Sequence, residues 1–148
     1  MLRRYTFWLT AAILFQFLAA CLHILSLFAP HQINNDAERQ MQELITTYRM
    51  DMGAGFHRTL GDLFTSVSTC YPLLCLLGGL TLGYLLIKHT EPALMKGLIA
   101  INLAIFTVCL IVFFFFAFLP PVLATGMIVV NLLAAYILVP KIESAIDV

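Results

Sequence analysis

The chain has 148 residues, of which 61% are hydrophobic and 11% charged, with a formal net charge of zero. A soluble domain carries about 25% charged residues, so the composition excludes an ordinary soluble fold and predicts one small transmembrane domain over residues 1–148. Balanced charge gives no footing for nucleic acid or for a polybasic lipid-binding surface.

Four apolar segments, about 7–29, 60–87, 97–119 and 122–139, approach the roughly 20 residues that span a bilayer. Each is expected to be helical, because hydrocarbon offers backbone groups no other partner. The predicted fold class is all-α: a polytopic membrane four-helix bundle with one extramembrane amphipathic helix.

In the first span Gln16 and His23 are seven apart and share a face. Leu18-Ala19-Ala20-Cys21 after Arg3-Arg4 has the pattern of a lipoprotein signal peptide. The apolar run continues through Leu22, Ile24, Leu25, Leu27 and Phe28, so the segment reads as an uncleaved span. The connection from Pro30 to about Thr59 is the one sizeable extramembrane segment. After a turn-like start, Met41, Leu44, Ile45, Tyr48 and Met52 fall at helical spacing, which predicts an amphipathic helix over about 36–52. That helix is expected to lie on the membrane surface, cross the bundle's mouth, or run into the second span, with Gly53 and Gly55 favouring a break.

The second span opens with His57, Arg58 and Asp62 and contains Pro72, which should bend it. Arg58, Asp62, Thr65 and Thr69 follow helical spacing, with Ser66 beside them. Arg58 and Asp62, four apart, are expected to pair. Gly79 and Gly83, like Ala100 and Ala104 in the third span, are small residues spaced for close helix packing. Phe113 to Phe116 surround a helix, so some must face lipid or a partner subunit. Pro120-Pro121 should then turn the chain into the fourth span. The four cysteines form no Cys-x-x-Cys pair and read as small apolar residues.

Arg3, Arg4, Lys88, Lys96 and Lys141 would share one side of the membrane, against Arg39, Arg49 and Arg58 on the other. The positive-inside rule places both termini in the cytoplasm. His23, His57, Arg58 and Asp62 then converge near the outer surface. Gln16 and Asn131 lie near mid-membrane and Asn102 lies deeper. The expected site is a polar funnel open to the outside, comprising His23, Asp51, His57, Arg58, Asp62, Ser66, Gln16 and Asn131.

Several readings of that funnel stand side by side. The polar groups serve interhelical hydrogen bonding alone. Or they bind a lipid head group, quinone or small amphiphile, with Arg58 holding an oxygen and a histidine as proton partner. Or His23 and His57 serve a small membrane oxidoreductase or haem protein. No Ser-x-x-Lys, Gly-x-Ser-x-Gly, His-Glu-x-x-His or phosphate-binding loop is present. The reading is therefore non-enzymatic, with no catalytic residue or metal assigned. Expected partners are membrane lipid and, through the Phe-rich face, a second copy or a larger membrane complex.

Over about residues 12–85 the chain resembles an uncharacterised bacterial family of small four-helix inner-membrane proteins. The resemblance rests on His23, Met41, Asp51-Met52-Gly53, Arg58-Thr59, Asp62 and Ser66. It implies the fold and an inner-membrane location, but no reaction. It picks out Asp51, Arg58 and Asp62, whose spacing of seven and four would align them on one continuous helix. His57 is not part of the family pattern.

Overall fold

A computed structural model describes residues 4–29 and 32–140. Pro30, where the expected turn begins, and Arg3 and Lys141, used in the orientation argument, lie outside the described residues. The elements in order are α1 (Tyr5–Leu27), α2 (Asp36–Thr47), β1 (Arg49–Asp51), β2 (His57–Thr59), α3 (Leu60–Ile87), α4 (Pro92–Phe116) and α5 (Leu119–Leu138). The chain is all-helical apart from the short hairpin. Helices α1, α3, α4 and α5 are long and apolar enough to cross a membrane, which is the architecture of a multi-pass membrane protein.

The helix starts follow from proline and polar caps. Pro92 opens α4, and Pro120 and Pro121 lie in the first turn of α5. There the missing N–H groups would have had no helical partner. The expected turn at Pro120-Pro121 therefore falls earlier, at Ala117-Phe118. Helix α3 runs on through Pro72. Its first turn is closed by a capping box: the Asp62 N–H donates to Thr59 Oγ1 at 3.1 Å and the Thr59 N–H donates to Asp62 Oδ2 at 3.0 Å.

The segment between α1 and α3 departs from expectation. Asn35 caps α2, and Glu38 accepts from the Asn34 N–H at 2.7 Å. The helix stops at Thr47 instead of about residue 52. Arg49–Asp51 pairs antiparallel with His57–Thr59, with Asp51 opposite His57. Gly53, Ala54 and Gly55 all have positive φ, at 82°, 52° and 80°. Glycine takes that region at no steric cost, so the two glycines reverse the chain instead of kinking a helix. The run-on helix is excluded, and Met52 leaves the helical stripe. Helix α2 rests on β2 and the start of α3. A Cβ at Gly61 would stand 3.4 Å from the Ile45 carbonyl, so α2 approaches the start of α3 to within side-chain contact. Met41, Leu44 and Tyr48 remain more than half exposed.

Among the spans, α1 packs against α3 and α5, α5 also packs against α4, and α3 meets α4 less closely. The core comprises small and branched side chains with one large aromatic: Leu9, Ala12, Ala19 and Ala20 of α1, Cys75 and Leu82 of α3, Ile99 and Phe106 of α4, and Ile128 and Leu132 of α5. Phe114, Phe115 and Phe116 point outward, the place for lipid contact. At about 1.5 Å per residue, the 28 residues of α3 reach about 42 Å, against about 30 Å of hydrocarbon. The end of α3 that carries the hairpin and α2 is called the upper end below.

Replacing a side-chain cap of this kind costs about 1 kcal/mol. Thr59→Ala is therefore expected to lower unfolding stability in mild detergent by about that amount, and Thr59→Ser to keep most of it. Equal losses in the two variants would assign the effect to the methyl group instead of the cap.

Candidate functional site

The residues expected at the funnel's rim lie on the upper, exposed part of the molecule. Arg58 sits on β2 with its guanidinium 6.0 Å from the Phe56 ring centroid. Asp62 belongs to the capping box. Among the described residues the one ion pair is Arg39–Asp36, at 3.7 Å. The expected Arg58–Asp62 bridge is therefore not formed. The two share a shallow surface depression with Leu63, Thr65 and Ser66. Pairing at i,i+4 requires a helix already running at residue 58, whereas α3 begins at Leu60. For the same reason Asp51, in β1, is not aligned with Arg58 and Asp62 on one helix.

The stripe continuing down α3 does not face the protein interior. Thr65, Ser66 and Cys70 are exposed and Thr69 is half-buried. Each hydroxyl donates to its own helix: Thr65 to the Gly61 carbonyl at 2.9 Å, Ser66 to Asp62 at 2.8 Å and Thr69 to Thr65 at 2.7 Å. Such back-bonding satisfies a hydroxyl without a neighbouring helix.

The polar contacts that join the spans centre on Tyr71. Its hydroxyl lies 2.7 Å from Thr125 Oγ1 of α5. Its ring meets His23 of α1 edge-on at 5.5 Å between centroids, and Phe113 of α4 at 4.9 Å. Beside it a cavity of about 130 Å³ opens between α1 and α5, lined by Ala19, His23, Ser26, Phe118, Pro121 and Tyr71 itself, among others. Ser26 donates to the His23 carbonyl at 2.7 Å. His23 Nε2 is shielded from solvent and has no hydrogen-bond partner. Asp62 stands nine residues, or about 13 Å, above Tyr71 along α3. His23 therefore does not join Arg58 and Asp62, and His57, on the hairpin, lies farther still. No histidine pair is assembled, and no group of three or more His, Cys, Asp or Glu side chains gathers among the described residues.

A second polar layer lies below. Gln16 is seven residues from His23 on α1, Gly78 seven from Tyr71 on α3, and Asn131 six from Thr125 on α5. All three stand about 10 Å lower, by helical rise. Gln16 is fully buried and Asn131 nearly so, at 0% and 4% exposure. Asn131 donates to the Met127 carbonyl at 2.7 Å and Asn102 to that of Leu98 at 2.9 Å. Asn102, expected deeper than Gln16, stands beside it, both amide oxygens lying 2.6 Å from the Gly78 Cβ position, and the layer above them is the His23–Tyr71–Thr125 group instead of the expected funnel.

Tyr71 and Thr125 were missing from the expected site. A tyrosine inside an apolar run reads as one more core aromatic. The available signal was that its hydroxyl, in a span, needs a partner of its own. The chain matches no protein-family model, no curated protein and no solved structure.

Interhelical hydrogen bonds within membranes contribute about 0.6 kcal/mol on average and up to about 1.7. A double-mutant cycle of Tyr71→Phe and Thr125→Val, read by unfolding in detergent, is expected to give a coupling energy within that range. Additive effects would show that the two hydroxyls do not depend on each other.

Proposed function

We propose that this is a non-enzymatic inner-membrane protein of bacterial type that binds a small neutral amphiphile in the cavity beside Tyr71. The single observation that carries the reading is His23 Nε2, enclosed and unpartnered in a side chain that lines a cavity of about 130 Å³. A carbonyl or hydroxyl oxygen of a ligand would supply the missing hydrogen bond. An apolar cavity of about 150 Å³ accepts a benzene ring, so the size suits one six-membered ring. Tyr71, Phe118, Pro120 and Pro121 offer flat or ring-shaped walls, and among the described residues no Asp, Glu, Lys or Arg side chain lines the cavity. That composition favours a quinone- or phenol-like head over the phosphate of a lipid, and moves the oxygen-binding role from Arg58 to His23.

The finer architecture belongs to the same proposal. The four spans form one bundle capped by the amphipathic α2, with both termini cytoplasmic and the upper end facing out. Lys88 lies 5.7 Å from the Tyr84 ring and Lys96 5.0 Å from that of Tyr136. Paired Lys and Tyr at the lower end fit an inner interface, where both residue types collect. A groove of about 530 Å³ between α4 and α5, walled by Phe114, Phe115, Leu123 and Met127, gives the opposite face to lipid tails or to a membrane partner. A haem held by His23 and His57 is not proposed, because the two side chains stand on different levels of the molecule.

Native mass spectrometry of the protein extracted in mild detergent tests the ligand. The wild type is expected to retain a neutral amphiphile that His23→Leu and the cavity-filling Ala19→Phe both lose, with helical content unchanged by circular dichroism. An identical lipid complement in all three proteins would overturn the reading.

A further inference from the structure

The cavity beside Tyr71 has a sheltered back and an exposed edge. Ala19 is buried, and His23 and Tyr71 are half-buried. At the edge Leu22 is 55% exposed and Phe118 70%, and Ser26 and Pro120 are exposed as well. The mouth therefore lies on the outer surface of the spans, at the seam between α1 and α5.

That edge is apolar. Leu22, Phe118 and Pro120 bring no side-chain donor or acceptor, and the Ser26 hydroxyl already donates to the His23 carbonyl at 2.7 Å. Depth agrees with this chemistry. The 23 residues of α1 reach about 34 Å, against about 30 Å of hydrocarbon. Leu22 stands five residues below the upper end of α1, or about 7 Å. With α1 centred in the bilayer, the mouth opens onto lipid tails just inside the hydrocarbon boundary.

Size then limits the ligand. About 130 Å³ holds one six-membered ring and little more. The remainder of an amphiphile must leave through the mouth, and there it meets hydrocarbon, where a charged extension is costly. Below the mouth Leu18 and Leu14 follow Leu22 at four-residue steps, both more than half exposed. Residues four apart share a helix face, so the three leucines form one outward stripe toward the middle of the bilayer. Lipid is as apolar as leucine, so a tail gains little affinity from that stripe. Its effect is to keep the ligand in the bilayer with its ring toward the cavity.

Resting on the reading of that cavity as a ring site, we propose that it takes its ligand sideways from the lipid, through the mouth between Leu22 and Phe118. The ligand is a neutral ring bearing one long hydrocarbon chain. The ring enters, and the chain stays outside along Leu22, Leu18 and Leu14.

Photolabelling of the full chain in phosphatidylcholine nanodiscs tests this, with a methylated phenol whose para-decyl tail ends in a diazirine as the probe. A phenol both donates and accepts, so it suits His23 in either tautomer. An extended decyl chain spans about 12 Å, the rise of eight helical residues, so from the mouth its end reaches the level of Leu14. Labelling is expected at Leu14 and Leu18, and an excess of the same compound without the diazirine should reduce it several-fold. Leu22→Trp fills the mouth from an exposed position and should reduce the competitor-sensitive labelling several-fold. Leu25→Trp, also exposed but outside the cavity lining, should leave it unchanged. Competitor-sensitive labelling that falls on the hairpin or on Phe28 and Ala29, or that Leu22→Trp does not change, would overturn lateral entry and leave the ring site standing. Labelling that no competitor reduces anywhere in the chain would overturn the ring site and lateral entry together.

Discussion

The contact of Tyr71 with its three neighbours sets how the spans stand against one another. A tyrosine hydroxyl inside hydrocarbon needs a protein partner, and Thr125 provides it from α5. The ring then fixes His23 of α1 and Phe113 of α4 against its edges and face. Because this level lies close to the upper ends of α1, α4 and α5, the remaining eleven residues of α3 have fewer neighbours to pack on. From Tyr71's level α1 continues four residues, α4 three and α5 six. The overhang of α3 carries Asp62, Thr65 and Ser66 to the surface, and gives α2 and the hairpin a post to rest on.

That geometry explains which parts of the fold were legible in the sequence. The four spans were, because hydropathy over some twenty residues has no competing explanation. The first three turns of α2 were, from Asn35, Glu38 and the stripe through Ile45. The end of α2 was not, since Tyr48 and Met52 continue the spacing by coincidence while Gly53 and Gly55 need left-handed backbone for the hairpin. The start of α3 was written in Thr59-Leu60-Gly61-Asp62, a cap followed three residues later by an acid. Reading Asp62 as the partner of Arg58 instead of Thr59 put a polar face where a helix terminus belongs. At the site, His23 and Gln16 were legible as polar residues on one face of a span. Their neighbours were not, because Tyr71, Thr125 and Gly78 become a site only through contacts far apart in the chain.

The polar groups of this protein sort by how they are satisfied. Those on the overhang are exposed, or bonded within their own helix, and need no neighbouring span. Those within the spans divide again. Thr125, Asn102 and Asn131 each have a protein partner. Among the described residues, the enclosed side-chain atoms left without one belong to Gln16 and His23. An unpartnered buried group costs on the order of 1–3 kcal/mol, more than an average interhelical hydrogen bond returns in a membrane. Neither residue is explained by stability alone, and of the two His23 lines a cavity, the one beside Tyr71.

Both lie on α1, two turns apart, and the residues between them on that face are Ala19 and Ala20. Spans have little hydrophobic drive toward one another, since lipid is as apolar as leucine, and small side chains let backbones approach instead. Helix α1 follows that rule with Ala12, Ala19 and Ala20 facing its neighbours, and α3 answers with Gly78 and Gly79. Close approach leaves little room for a polar side chain, so each must meet a recess in the opposing wall. Gly78 is the recess for Gln16, and the gap under Pro120 and Pro121 is the recess for His23. A larger residue at either recess would press on the polar group and widen the α1 interface, so tight packing and polar chemistry are constrained by the same positions.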